Sequence, residues 1–183
     1  MGFLQHTIDQ AGELILAIPS ALIILLSREW YCARMAEDKE SHPFRDFPLI
    51  SFASLCLTGT AAGGLLRDRP YALLRFLHGQ LWLVLLIVIG VVYALIKNPA
   101  ADSFSARFSA VYLCQAWSLL IVNFIPVPPF DAAATYFAPY MQWRMFTLLV
   151  SALSLAVLIF CTYNFWRIDF LTGKFLTRWL SLA

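Results

Sequence analysis

An apolar, helix-forming segment of the 183-residue chain ends in a proline-rich run that is followed by an aspartate. Pro126, Pro128 and Pro129 precede Asp131 in this run. Proline removes backbone donors and breaks a helix, and lipid offers no replacement hydrogen bonds, so the segment must be buried in protein or line a polar cavity. Asp131 is therefore a candidate site. The alternative is that Asp131 is an interfacial loop carboxylate in water and that the prolines only end the helix.

Around Asp131 the sequence resembles the site-2 protease family of intramembrane zinc metalloproteases, whose motif is Asn-x-x-Pro-x-Pro-x-x-Asp-Gly. Asn123, Pro126, Pro128 and Asp131 match this motif in register, and Ala132 stands where the family has glycine. The resemblance implies that Asp131 is a zinc ligand. It also implies non-helical, membrane-embedded structure earlier in the chain.

The second motif of that family, His-Glu-x-x-His followed by small residues, is degenerate in this chain. Glu29 stands at the position of the general base, and Ala33 and Ala36 fit the small positions, whereas Arg28 and Cys32 stand in place of the two histidines. Residues four apart share a helix face and can both bind one metal ion. A guanidinium has no lone pair to give, so Arg28 would repel zinc.

The remaining ligands for a metal ion are few. Cys32 offers a thiolate and Asp131 a carboxylate, while the use of Glu29 as a ligand would remove the base that activates water. We therefore expect no cofactor, no hydrolysis and a vestigial role for Glu29. The alternative is an active zinc protease with an atypical ligand set that includes Cys32 and Asp131.

Arg28 is the predicted partner of Asp131 if no metal is bound. A carboxylate inside a low-dielectric bundle needs a compensating charge, and the planar fork of arginine can hold it with two hydrogen bonds. We expect Glu29, on the same helix, to share Arg28. The alternative is that Arg28 extends to the interface and contacts only water and phosphates.

The composition indicates the environment in which these residues act. Apolar residues make up 61% of the chain, charged residues only 13%, and the mean hydropathy is +0.73. Soluble proteins carry roughly 25% charged residues, so we predict an integral membrane protein in contact with the lipid bilayer. The net charge of +2 is too small and scattered to indicate nucleic-acid binding. Residues 1–10 lack Lys and Arg, so the first apolar segment is expected to remain as an anchor.

The apolar segments predict an all-α membrane protein, a polytopic bundle of four to five transmembrane segments in a single domain. Four segments approach the roughly 20 apolar residues of a spanning helix, namely 11–27, 76–96, 110–127 and 145–166. A fifth, 48–66, is rich in serine, threonine and glycine and either spans or is re-entrant. The tail, 167–183, is predicted to form an interfacial helix. The site-2-protease-like core covers roughly residues 11–134.

The topology constrains the site. Glu29 and Asp131 share one side only if an even number of crossings separates them, which requires the segment 48–66 to be re-entrant. Four basic residues between positions 28 and 45 suggest that this side is cytoplasmic, in a cell inner membrane.

The favoured function is a site-2-protease-like, multi-pass membrane protein that lacks metal-dependent peptidase activity and binds or regulates a transmembrane partner. The active zinc protease with an atypical ligand set is the alternative. A third class is a small membrane-complex subunit or assembly factor that is unrelated to proteases. Metal content separates the first two, and a close approach of Glu29 and Asp131 separates both from the third.

Overall fold

The computed structural model describes residues 2–35, 48–58, 72–100, 103–126, 130–137 and 173–182, together with helical positions 145, 148, 149, 152, 153 and 156. Within these residues the structure contains helices and no β-strand. The predicted all-α class is confirmed for this part of the chain.

The longer described helices are those that could cross a membrane. The helices are α1 (Gly2–Met35), α2 (Leu49–Thr58), α3 (Ala72–Lys97), α4 (Phe104–Asn123), α5 (Asp131–Phe137) and α6 (Lys174–Trp179). Three segments of them are long and apolar enough to span, namely Ile15–Met35, Leu73–Lys97 and Phe104–Asn123. They correspond to the predicted segments 11–27, 76–96 and 110–127. The fourth predicted segment, 145–166, lies mostly outside the described residues.

Helix α1 continues to Met35, past the end predicted at residue 27. The prediction placed the boundary where the apolar run stops, but Arg28 and Glu29 are only 5% and 6% exposed. Because α3 packs along α1, the helix retains a buried face after its composition becomes polar. The boundary at residue 27 is therefore corrected, and the two charged residues belong to the interior of the bundle.

A short connection joins α3 to α4 and makes them antiparallel neighbours. Helix α3 ends at Lys97, and Asn98 follows with a positive φ of 37°, which asparagine tolerates better than most residues. The Ser103 side chain then accepts a hydrogen bond from the backbone N–H of Ala106 at 3.1 Å and caps the start of α4.

Helix α4 ends at Asn123, immediately before the proline-rich run. The backbone N–H of Phe124 bonds to Ile121 at 3.1 Å in a tighter final turn, and Pro126 follows. Phe130 is 1% exposed and anchors the start of α5, which begins at Asp131. The match to the family motif therefore lies across a break between two helices, and Pro128 falls outside the described residues.

The core lies between α1, α2, α3 and α4. Its largest buried apolar side chain is Phe130, just before α5, and the next largest come from all four helices and are Ile24, Leu25, Leu55, Leu83, Leu113 and Leu119. Lipid is as apolar as leucine, so close packing and hydrogen bonds hold such helices together, and small residues help them approach. Ala21 of α1 and Ala116 of α4 are fully buried small residues of this kind.

A glutamine fixes α2 within the bundle. Gln115 of α4 is fully buried, and its Nε2 donates to the backbone carbonyls of Ala17 in α1 at 3.3 Å and Leu55 in α2 at 3.1 Å. Helix α2 thereby reaches the level of Ala17, about three helical turns away from Arg28 along α1.

The tail contains α6, which packs on α4. Gly173 precedes α6 with a φ of 73°, and a Cβ there would lie 3.1 Å from the Trp117 side chain. The ring of Phe175 meets Trp117 edge to face at 5.3 Å between centroids. The position of this part of the predicted interfacial tail is therefore set by contact with the middle of α4.

Candidate functional site

The last turns of α1 carry two adjacent charged side chains that are buried against other helices. Arg28 forms an ion pair through its Nη2 with Oδ2 of Asp131, the first residue of α5. The Nη1 of Arg28 lies 3.6 Å from Oε1 of Glu29 on the same helix. The side chain of Arg28 is 7% exposed and that of Asp131 is 40% exposed, so the pair is open on the aspartate side. The structure thus brings Arg28, Glu29 and Asp131 together.

A second arginine, Arg75 at the start of α3, completes the cluster. Its Nη2 lies 3.0 Å from Oε2 of Glu29, and both side chains are buried. Two guanidinium groups therefore face two carboxylates, and the formal charges of the four side chains balance. We call Arg28, Glu29, Arg75 and Asp131 the ion-pair cluster.

Arg75 was missed by the sequence analysis. It precedes the apolar segment at 76–96, where a cation next to a spanning helix is usually exposed to water and head groups. The topology contained a usable signal, because a re-entrant 48–66 brings the start of α3 to the same side as the end of α1. A buried Glu29 then needs a cation there.

Glycine at position 79 makes room for the Arg28 guanidinium. A Cβ at Gly79 would lie 2.9 Å from Nη2 and 3.0 Å from Nε of Arg28. The guanidinium is held by two carboxylates and cannot move away without loss of its ion pairs. The close packing of α1 on α3 at this level therefore depends on glycine at position 79, which has no Cβ.

Aromatic residues pack between α1 and α3, and the one on α1 lies close to Arg28 in sequence. The ring of Tyr31 stacks on Trp82 with centroids 4.5 Å apart, and it meets His78 edge to face at 6.0 Å. The indole N–H of Trp82 donates to the Ser27 hydroxyl at 3.0 Å. These contacts restrict how far α1 and α3 can separate around Arg28.

The other described motif residues lie at the end of α4 and at the start of α5. Asn123 is 2% exposed at the end of α4, and its Nδ2 has no hydrogen-bond partner among the described residues. Pro126 is exposed just after the final turn of that helix. Ala132, where the family has glycine, is a buried helical residue of α5, so its backbone has an ordinary conformation for a residue with a side chain.

The zinc site implied by the resemblance does not fit these residues. The Arg28 guanidinium contacts both Glu29 and Asp131, so a cation already occupies the position where a metal would have to approach the two carboxylates. The Cys32 thiol donates to the backbone carbonyl of Arg75 at 3.4 Å. Within the part of the chain that the structure describes, no three His, Cys, Asp or Glu side chains converge as a metal-binding group.

The fold and the cluster define a class of protein: a helical protein with three helices able to cross a membrane and a buried ion-pair cluster at one end of them. No family model, no curated protein and no solved structure matches the chain.

Proposed function

We propose that this chain is a site-2-protease-like integral membrane protein that lacks metal-dependent peptidase activity and binds or regulates a transmembrane partner. The observation that carries the proposal is the ion pair of Arg28 with Asp131. These residues stand where the motifs of the resembled family place a zinc ligand histidine and a zinc ligand aspartate. A guanidinium supplies the positive charge there but offers no site at which water is activated.

The position of Glu29 supports the same proposal. A general base must have an oxygen free to take a proton from the attacking water. Both oxygens of Glu29 face guanidinium groups, Oε1 towards Arg28 and Oε2 towards Arg75. The motif residue that is matched to the base therefore has a structural role in holding α1 to α3.

The contacts also support the finer topology. Arg75 reaches Glu29, so the end of α1 and the start of α3 lie at one level. Helix α2 has 10 residues, about 15 Å, which is half of the hydrocarbon thickness. We propose that 48–66 is re-entrant, that 145–166 is a fourth span, that the tail 167–183 is anchored through α6 on the middle of α4, and that the protein resides in a cell inner membrane.

The surface near the cluster supports binding of a partner. Trp30 in the last turns of α1, Phe124 just after α4 and Tyr136 within α5 are more than half exposed. Asp131 is the cluster residue that remains open to its surroundings. Exposed aromatic side chains on the helices that carry or adjoin the cluster, together with a partly open carboxylate, suit the end of a partner's transmembrane helix that carries a basic residue.

Metal analysis tests the loss of hydrolysis. We expect purified protein to hold less than a tenth of a zinc ion per chain, on the order of the trace metal of any preparation, and to cleave no peptide bond. Substitution of both motif positions, Arg28→His with Cys32→His, is the matched gain-of-binding variant. Zinc near one per chain in the natural protein, lost in Asp131→Ala or Cys32→Ala, would establish the zinc protease with an atypical ligand set instead.

Photo-crosslinking in native membranes tests the partner. A photoreactive residue at Tyr136 should give discrete adducts with a membrane protein, and Asp131→Asn should reduce their yield. The control carries the photoreactive residue at Leu95 instead. Leu95 is similarly exposed and lies at the end of α3 that is far from the ion-pair cluster. Equal adducts from both positions would contradict partner binding at the cluster.

A further inference from the structure

A groove of about 390 Å³ lies between α3 and α4, at the end of these helices opposite to the ion-pair cluster. The cluster involves the start of α3, whereas the groove is formed by the last turns of α3 and the first turns of α4. Its main wall residues are Ile89, Gly90, Tyr93, Phe104, Phe108 and Tyr112.

Three of the four hydroxyl groups that line the groove have hydrogen-bond partners within the protein. The Tyr93 hydroxyl lies 2.9 Å from the Ser105 hydroxyl. The Tyr112 hydroxyl donates to the backbone carbonyl of Leu86 at 3.3 Å. Most of the wall is apolar, so the groove suits a hydrocarbon chain.

The groove opens on a surface that faces lipid if α3 spans a membrane. Val88, Val92 and Ile96 lie on the adjoining surface of α3 and are 50%, 46% and 75% exposed. Gly90 keeps the two helices close beside the groove, since a Cβ there would lie 2.8 Å from Leu113. Hydrocarbon chains surround such a surface in a bilayer, and a flexible chain can follow a narrow groove between two helices.

Two exposed cations lie on the helix ends that form the groove, outside its lining residues. Lys97 lies one helical turn beyond Tyr93 on the same face of α3. Arg107 lies one turn after Phe104 on α4, and both side chains are exposed. Asp102 belongs to the connecting loop and lies outside the described residues. Lys and Arg at this depth attract the phosphates of anionic lipids.

We propose that the groove binds one acyl chain of an anionic phospholipid whose phosphate contacts Lys97 and Arg107. The aromatic walls hold the chain, and the two cations select the head group. This site is independent of the proposed function of the ion-pair cluster.

Native mass spectrometry of the detergent-purified chain, titrated with dioleoyl phosphatidylglycerol or dioleoyl phosphatidylcholine, tests the head-group contact. The double variant Lys97→Gln/Arg107→Gln should weaken phosphatidylglycerol binding about tenfold and phosphatidylcholine binding clearly less, because the choline cation of phosphatidylcholine offsets its phosphate charge. The matched control Arg34→Gln/Lys174→Gln removes two exposed cations elsewhere and should change neither. An equal loss in the control, or equal binding of both lipids by the natural protein, would overturn the proposal.

A second experiment tests the occupant of the groove. Ser105→Phe places a ring at the groove and should reduce the binding of both lipids, whereas Tyr93→Phe keeps the shape and should not. A photoreactive residue at Phe108, activated in phosphatidylglycerol vesicles, should add the mass of one lipid. Covalent dimers or adducts with another protein at that position would show a protein occupant and overturn the assignment.

Discussion

At the residue scale, one side chain in the cluster serves two carboxylates. Arg28 contacts Asp131 on α5 and Glu29 on its own helix, while Glu29 has a second cation in Arg75. The two acidic residues therefore depend on Arg28 to different degrees. Removal of Arg28 leaves Asp131 without its described cation, whereas removal of the Asp131 charge leaves Arg28 paired with Glu29. Substitutions of Arg28 and of Asp131 should therefore lower the stability of the protein by different amounts.

The first prediction is a double-mutant cycle on the Arg28–Asp131 pair. Arg28→Met should destabilise the protein more than Asp131→Asn, because it removes the cation that pairs with both Glu29 and Asp131. The coupling energy should be about 1–3 kcal/mol, above the ~0.5 kcal/mol error of additivity and below the largest buried pairs because Asp131 is partly open. Unfolding in detergent or bilayers measures it. Additive losses would show that Arg28 acts without Asp131.

The second prediction concerns Gly79. Alanine in a helix is usually more stable than glycine by about 1 kcal/mol. At position 79 the added methyl group would meet the Arg28 guanidinium, so Gly79→Ala should destabilise the natural protein. In the Arg28→Met background the same substitution should become neutral or stabilising. Unfolding measurements on the four proteins check the change of sign, and an identical effect in both backgrounds would contradict the contact.

At the element scale, α2 is held by hydrogen bonds from Gln115. The carbonyls of Ala17 and Leu55 accept from the same amide group, so α1, α2 and α4 meet at one buried residue. Gln80 of α3 provides a contrast, because it is 5% exposed and neither of its side-chain polar atoms has a hydrogen-bond partner among the described residues. The amide nitrogen of Gln115 therefore has two described acceptors and that of Gln80 has none, whereas the amide oxygen of each lacks a partner among the described residues.

The third prediction compares these glutamines. Gln115→Leu should destabilise the protein by about 1 kcal/mol, the usual size of an interhelical hydrogen bond in membranes, and it should loosen α2. Gln80→Leu should be neutral or stabilising, because it removes buried polar atoms that have no described partner. Thermal unfolding measures stability, and reactivity of Cys56 towards a small thiol reagent reports on α2. Equal losses from both variants would show that Gln80 is paired as well.

The elements differ in how far the sequence predicts them. The apolar runs predict α3 well, since its ends coincide with a change in composition. Helix α1 was predicted to end too early, because the burial of Arg28 and Glu29 depends on partners on α3 and α5 that are distant in sequence. Motif spacing placed Arg28 opposite Asp131. The pairing of Arg75 with Glu29 could be predicted only from the topology, because the sequence around a single arginine before an apolar run does not indicate that it is buried.

At the scale of the whole molecule, the ion-pair cluster constrains how the chain crosses the membrane. Glu29 lies in the last two turns of one candidate span, Arg75 in the first turn of the next, and Asp131 follows the third. All three lie together, so if these helices cross a membrane, our proposal of a re-entrant 48–66 returns the chain between α1 and α3 to the side that it left. A spanning 48–66 would place Glu29 and Arg75 on opposite sides, about 30 Å apart.

The fourth prediction tests this arrangement with single cysteines in a chain whose four natural cysteines are replaced. Single cysteines are introduced at Met35, Tyr136 and Asn98, which are exposed positions at the ends of α1, α5 and α3. Because α1 ends and α5 begins beside the cluster, Met35→Cys and Tyr136→Cys should react with a membrane-impermeant thiol reagent from one side of sealed vesicles. Asn98→Cys should react only from the other side, since α3 separates it from Arg75. Permeabilised vesicles provide the control that all three sites can react. Labelling of Met35→Cys and Tyr136→Cys from opposite sides would require an additional crossing between them, and it would exclude both the re-entrant segment and the cluster that depends on it.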